Sequence, residues 1–210
     1  ADEFVNAYHE DPNTDFHTMV SDMAKIDRKK AKTINLGLFY GMGKGKLSSE
    51  LGLSPGQAED LFEKYHSRVP FVKEMIERTM KKASDVGHVR TLLGRKCRFD
   101  MWEPSRYGVH KPLPRDQAER EHGKQIRRAF TYKALNKIIQ GSAADMTKQA
   151  MVNLYDEGII PHIQVHDELD CSFADEKEKD KIMDIMKSCV ELEVPVKLDC
   201  EVGPSWGEAK

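Results

Sequence analysis

Between Ile163 and Phe173 the chain reads I-Q-V-H-D-E-L-D-C-S-F. Apolar side chains stand at Ile163 and Val165 and again at Leu169, Cys171 and Phe173, the period of two expected of half-buried strands. The alternation breaks at His166, Asp167 and Glu168, so the segment is predicted to pair as a hairpin carrying an imidazole and two carboxylates at its tip. Adjacent carboxylates on a rigid turn repel each other unless a cation lies beside them, and oxygen donors of this kind suit Mg²⁺. A polar turn on a surface hairpin uses the same residue types. The rest of the chain has to decide between the two.

Downstream, Asp175 with Glu178 three residues on caps a helix whose Ile182, Ile185, Met186, Cys189 and Val190 form one apolar stripe. Val194, Val196, Leu198, Cys200 and Val202 then alternate strictly and predict a closing strand. Hairpin, helix and strand together predict a small α+β layer, with helices on one face of an antiparallel sheet.

The first two thirds of the sequence is mainly helical in pattern. Residues 1–20 read as the tail of a helix and a loop, with Asp11-Pro12-Asn13 as the turn. From Asp27, Arg28, Lys32, Leu36 and Tyr40 recur at spacings of four, a face cationic at its start and apolar then aromatic at its end, closed by Gly41 and Gly43. Core-packed helices seldom lead a stripe with Arg and Lys; a helix that grips a triphosphate and stacks a base needs this order. Ser54-Pro55-Gly56-Gln57 is a capping box ahead of Ala58, Leu61, Phe62 and Tyr65, read as core packing. Pro70 opens a helix with Phe71, Val72, Met75, Ile76 and Met80 inward, ending near Gly87. A strand from His88 to Leu93 turns at Gly94 into the basic run Arg95, Lys96 and Arg98, and residues 99–118, rich in proline and charge, read as an irregular insertion. A long helix is predicted from about Asp116 to Gly141, with Asn136 and Gln140 on one face, amides that suit groove-edge acceptors. Ser142 is predicted to cap a separate helix, Ala143 to Glu157.

Composition removes several classes. No run of about eighteen apolar residues occurs, so no membrane-spanning helix is expected, and the acidic start has no signal-peptide pattern. Four cysteines at 97, 171, 189 and 200 form no C-x-x-C pair, which favours reduced thiols and a cytoplasmic setting. The formal net charge of −2 excludes a uniformly basic coat, but charge is segregated: residues 27–46 carry six basic side chains against one acid, and residues 170–193 eight acids against four lysines. His110, His122 and His162 form no ligand pattern, which argues against a metal phosphohydrolase built on His166-Asp167.

Three stretches together resemble the family A DNA polymerases, the bacterial DNA polymerase I group and its phage relatives. They are Arg28-x-x-x-Lys32-x-x-Asn35-x-Gly37-x-x-Tyr40-Gly41, then Gln140-Gly141-Ser142-Ala143-Ala144-Asp145, then Gln164-Val165-His166-Asp167-Glu168-Leu169. The ending Val202-Gly203-Pro204-Ser205-Trp206 resembles the family's C-terminus, so the likeness covers nearly the whole chain. It implies an α+β fold, with a helical fingers subdomain over residues 1–115 and the C-terminal part of an antiparallel-sheet palm subdomain over 116–210.

By the same resemblance, Arg28 and Lys32 bind the incoming triphosphate, as does His17 in Asp15-Phe16-His17-Thr18. Leu36 packs near the nucleotide sugar. Tyr40 and Gly41 lie at the template base, and Asn136, Gln140 and His166 at the duplex minor groove and primer end. Asp167 ligates two catalytic Mg²⁺ ions with Glu168 in support, one ion activating the primer 3′ hydroxyl and the other steadying the leaving pyrophosphate. Primer–template DNA and a deoxynucleoside triphosphate are the implied partners, in the cytoplasm of a bacterial cell or phage-infected host.

The departures are specific. Leu36 stands where the family usually has Phe or Tyr, Lys29 and Tyr132 stand where arginine is expected, and the 99–118 insertion is longer than in bacterial members, pointing to a phage or divergent source. The family's other metal-binding aspartate belongs to a strand expected just before residue 1, so the second carboxylate is expected from outside this chain. Two readings follow: the C-terminal portion of a DNA-directed DNA polymerase, truncated or completed by a separate upstream polypeptide, or a nucleic-acid- and nucleotide-binding module without catalysis.

Overall fold

A computed structural model describes residues 2–39, 42–106 and 108–209. Helix α1 spans Asp2–Glu10, and a turn follows in which the Asp11 carboxylate accepts from the Asn13 backbone N–H at 2.8 Å. The predicted loop beyond this turn is instead the start of α2, Phe16–Ala24, because Asp15 caps it. Helix α3, Arg28–Phe39, buries Ala31, Ile34 and Asn35. Helices α4, Lys44–Leu51, and α5, Pro55–Arg68, follow, the second opened by the expected capping box. Helix α6, Pro70–Val86, is closed by Gly87 in the left-handed region, where the absence of Cβ removes the strain.

Two small antiparallel sheets come next. Strands β1, His88–Arg90, and β2, Lys96–Arg98, pair around the predicted turn at Gly94. Residues 99–118, expected to be irregular, contain β3, Met101–Pro104, and β4, Leu113–Pro114, and then enter α7, Arg115–His122. With β5, Ile126–Arg128, they form a sheet of order β4-β3-β5. In this layer the Trp102 ring makes cation–π contacts with the guanidinium groups of Arg115, at 5.1 Å, and Arg128, at 4.6 Å.

The expected helix from 116 to 141 is therefore broken by β5 and a short 3₁₀ turn, and the expected break at Gly141-Ser142 is absent. Helix α8 runs unbroken over Ala134–Asp156. The last part of the chain pairs β6, Ile163–Val165, with β7, Glu168–Asp170, and adds α9, Glu176–Ser188, capped by Asp175 as expected. Residues 194–202 form no strand among the described residues, although their alternation predicts one.

The chain divides into two compact units, residues 15–141 and residues 1–14 with 142–210. In the first unit Ala83, Val89, Phe99 and Ala134 form a core cluster with Cys97 and Ile138 packed against it. In the second, Leu154, Ile159 and Ile182 are packed by Leu169, Cys171, Phe173, Ile185 and Met186, so the helical stripe read from sequence is the buried one.

Candidate functional site

The first group of candidate residues is built on α2 and α3. Asp15 sits just before α2 with extended backbone, and its carboxylate accepts the Thr18 N–H at 2.9 Å, satisfying a donor that the first helical turn leaves open. The other carboxylate oxygen takes a hydrogen bond from Arg28, whose Nε also donates to Thr18 Oγ1 at 3.2 Å. Arg28, then the Thr18 amide, hold the Asp15 carboxyl well below its usual range, at about 2.

Arg28, Lys32 and Leu36 all face solvent from one side of α3, as the spacing of four predicts, and Leu36 is 41% exposed. Ala31, Ile34 and Asn35 of the same helix are buried. His17 meets this helix through Nδ1, which lies 3.0 Å from the Asn35 side-chain nitrogen, while the Asn35 oxygen accepts the Tyr65 hydroxyl at 2.7 Å. Burial lowers the His17 pKa, the Asp15 carboxylate opposes that shift, and the charges of Arg28 and Lys32 add to it. The structure thus brings His17, Arg28 and Lys32 together at the α2–α3 corner. Tyr40 and Gly41, the remaining candidates of this helix, lie outside the described residues.

Asn136 and Gln140 stand one turn apart on α8, Gln140 exposed and Asn136 half-buried. Close by, Gly141 lets the helix approach the β1–β2 hairpin: Arg95 donates to the Gly141 carbonyl at 2.9 Å, and a Cβ on Gly141 would lie 2.7 Å from Thr91 Cγ2. Arg95 is thereby committed to holding backbone, while Lys96 and Arg98 of the basic run remain exposed.

In the second unit the β6–β7 register pairs Val165 with Glu168 and leaves His166 and Asp167 as the two residues of the turn. His166 takes a left-handed φ of 56°, and its Nδ1 lies 2.7 Å from Asp167 Oδ1. That hydrogen bond is the main reason the Asp167 carboxyl lies below its ordinary pKa. The strands are more exposed than the half-burial predicted, Ile163 and Val165 each at 43%, and Glu168 belongs to β7 rather than to the tip. Asp167 and Glu168 border a groove of about 570 Å³ that also receives Asp170, Asp199 and Glu201. Asp167 and Glu168 are oxygen donors of the kind a hard divalent cation takes, and the exposed Asp167 carboxylate is open to one. Among the described residues, however, no three His, Cys, Asp or Glu side chains converge to hold a metal ion.

The hydrogen-bonded set behind His17 was missed by sequence reasoning, which placed Tyr65 in ordinary core packing. Its one visible signal is Asn35, an amide buried together with Ala31 and Ile34 on α3.

Residues 2–208 match the family model described as DNA polymerase family A. The chain is 38% identical to the DNA-directed DNA polymerase of Pseudomonas phage M6, an alignment covering 99% of this chain and 33% of that protein. It is 36% identical to the thermostable DNA polymerase I of Thermus filiformis, over 90% of this chain and 22% of that protein. Among solved structures it resembles the POL domain of Pol1 from M. smegmatis in complex with DNA primer-template and dNTP, with a TM-score of 0.69 and 27% identity over 92% of this chain and 34% of that one. The chain therefore spans about a third or less of the length of these relatives. No helix among the described residues is long and apolar enough to cross a membrane.

Proposed function

Because this chain belongs to DNA polymerase family A, we propose that it is the part of a DNA-directed DNA polymerase that grips the incoming deoxynucleoside triphosphate and supplies one carboxylate to the catalytic metal site. The reaction is templated transfer of a nucleotide from the triphosphate to a primer 3′ hydroxyl. The observation that carries this reading is the corner that sets His17 beside the cations Arg28 and Lys32, from which Leu36 continues the same exposed face. A guanidinium fork and an ammonium suit phosphate oxygens, and an apolar side chain one turn on suits a sugar. The solved relative that the chain resembles holds primer-template DNA and dNTP, which supports both partners.

In this reading the residues divide the work. Arg28 and Lys32 neutralise and orient the triphosphate, His17 adds a directed hydrogen bond, and Leu36 shapes the space for the sugar. Tyr40 and Gly41 meet the template base; Asn136, Gln140 and His166 contact the duplex minor groove and primer end. Asp167 would ligate Mg²⁺ with Glu168 supporting it, and the bound ions supply Lewis-acid activation of the hydroxyl and neutralisation of the leaving pyrophosphate. The second carboxylate comes from an upstream polymerase segment, in the same polypeptide or a separate one. By subdomain, residues 1–115 act as fingers and 116–210 as the later palm.

The test is primer extension by this chain completed with the upstream segment of a phage relative. Templated extension that depends on Asp167 supports the reading. A completed protein that binds primer–template and triphosphate but extends nothing would favour the alternative, a binding module without catalysis.

A further inference from the structure

The hydrogen bonds behind His17 decide which of its nitrogens carries the proton. Asn35 and Tyr65 are both fully buried, so no water substitutes for either partner. The Asn35 oxygen accepts the Tyr65 hydroxyl at 2.7 Å, which leaves the amide nitrogen, a donor only, facing His17 Nδ1 at 3.0 Å. With the amide in this orientation Nδ1 presents its lone pair, and a neutral imidazole with Nδ1 as acceptor carries its single proton on Nε2.

We propose that Tyr65 and Asn35 are positioning residues that lock His17 in the Nε2–H tautomer, so that the ring offers a phosphate a hydrogen-bond donor without adding charge. This rests on the reading of His17 as a phosphate contact. The surroundings agree with it. Burial keeps the Tyr65 hydroxyl protonated by raising its pKa, so the donor that fixes the Asn35 amide does not titrate away. Arg28 and Lys32 already place two positive charges beside the ring, and only the Asp15 carboxylate opposes them, so a neutral donor adds direction where a third cation would add repulsion. An aspartate in place of Asn35 would do the reverse, accepting from Nδ1–H and favouring the imidazolium.

The experiment uses the full chain labelled with ¹⁵N-histidine and a long-range ¹H–¹⁵N correlation at neutral pH. The expected spectrum shows His17 Nδ1 as an unprotonated, lone-pair nitrogen and Nε2 as the protonated one. Tyr65→Phe, which keeps the ring and removes the hydroxyl, should mix the two tautomers and weaken binding of a deoxynucleoside triphosphate by roughly three- to tenfold, the worth of one hydrogen bond. In a His17→Gln background, where an amide donor is present whatever Tyr65 does, the same change should cost nothing further. A parent spectrum with the proton on Nδ1 overturns the proposal whether or not any variant folds, and so does an equal loss from Tyr65→Phe in both backgrounds. A tautomer that moves with Tyr65 while His17→Ala leaves triphosphate affinity untouched upholds the lock and removes the phosphate reading of His17 instead.

Discussion

Arg28 has two claimants. Asp15 and Thr18 hold its guanidinium at the α2–α3 corner, and on the proposed reading an arriving phosphate would compete for the same donors. The pairing lowers the Asp15 carboxyl to about 2, so the stability that Asp15 contributes is fully present above its unfolded value of 3.8 and is lost as pH falls through about 2. Following the Asp15 carboxyl carbon by NMR should give a midpoint near 2, and Arg28→Ala should move it toward 3.8. Lys32 is exposed on the same helix, and no ion pair among the described residues engages it. Lys32→Ala should therefore cost roughly 1.5 to 3 kcal/mol of triphosphate affinity by calorimetry, Arg28→Ala should fall at the lower end of that range, and Lys30→Ala should do much less. Comparable losses at all three would mean a diffuse basic patch. Leu36 is exposed on the same face, and on the proposed reading it would offer the sugar shape but no hydrogen-bond donor. In the completed enzyme Leu36→Tyr should improve use of dideoxy over deoxy nucleotides by about one to two decades, measured by competition at one template position, as expected for one good hydrogen bond in a dry site. An unchanged ratio would show that residue 36 does not face the sugar.

Helices and strands differ in how far their own residues determine them. The capping box at Ser54 and Gln57 and the cap at Asp175 were legible because every atom involved lies within four residues. Helix α8 was not, because Gly141-Ser142 looks like a stop followed by a cap. What carries the helix through is packing against a distant hairpin, where Thr91, Arg95 and Cys97 crowd the position a Cβ would take. Thr91 cannot swing aside, since it is buried and its hydroxyl accepts the Arg95 N–H at 3.0 Å. Gly141→Ala should accordingly destabilise by about 1 kcal/mol or more in urea, overpacking outweighing the gain in helix propensity. Thr91→Ser, which removes the offending methyl and keeps the hydroxyl, should reverse the sign. The alternation at 194–202 misled for a related reason: a period of two records which side chains share a face, whereas a strand also needs a neighbour to bond. The same limit hid β3 and β4 among the prolines of the insertion, strands of four and two residues that exist only through their pairing with each other and with β5. Spacing made the shared exposed face of Arg28 and Lys32 and the turn position of Asp167 legible, whereas the hydrogen-bonded set behind His17 depends on a partner thirty residues away, as Tyr65 is from Asn35.

For the molecule as a whole, gripping a nucleotide and transferring it make different demands. Gripping needs local charge, which the α2–α3 corner has even though the chain's formal net charge is −2. Transfer needs carboxylates that converge on metal ions in line with a hydroxyl and a phosphate. Asp167 offers one exposed carboxylate, Glu168 follows it in β7, and among the described residues no convergent set of three such ligands exists. On the proposed reading, in which the second carboxylate is supplied from outside these 210 residues, the chain alone is expected to bind a deoxynucleoside triphosphate and to give no templated extension. Supplying the upstream polymerase segment, fused or as a second chain, should bring extension back. In that restored enzyme Asp167→Ala should remove on the order of three decades of rate while leaving triphosphate affinity within about twofold, because the charge it supplies acts in the transition state rather than in the grip of α3. Vigorous extension by the 210-residue chain would show that it carries its own metal site, and a mild Asp167→Ala phenotype would show that another group holds the ion. Loss of rate and affinity together would place Asp167 in nucleotide binding itself, a different division of labour among these residues from the one proposed.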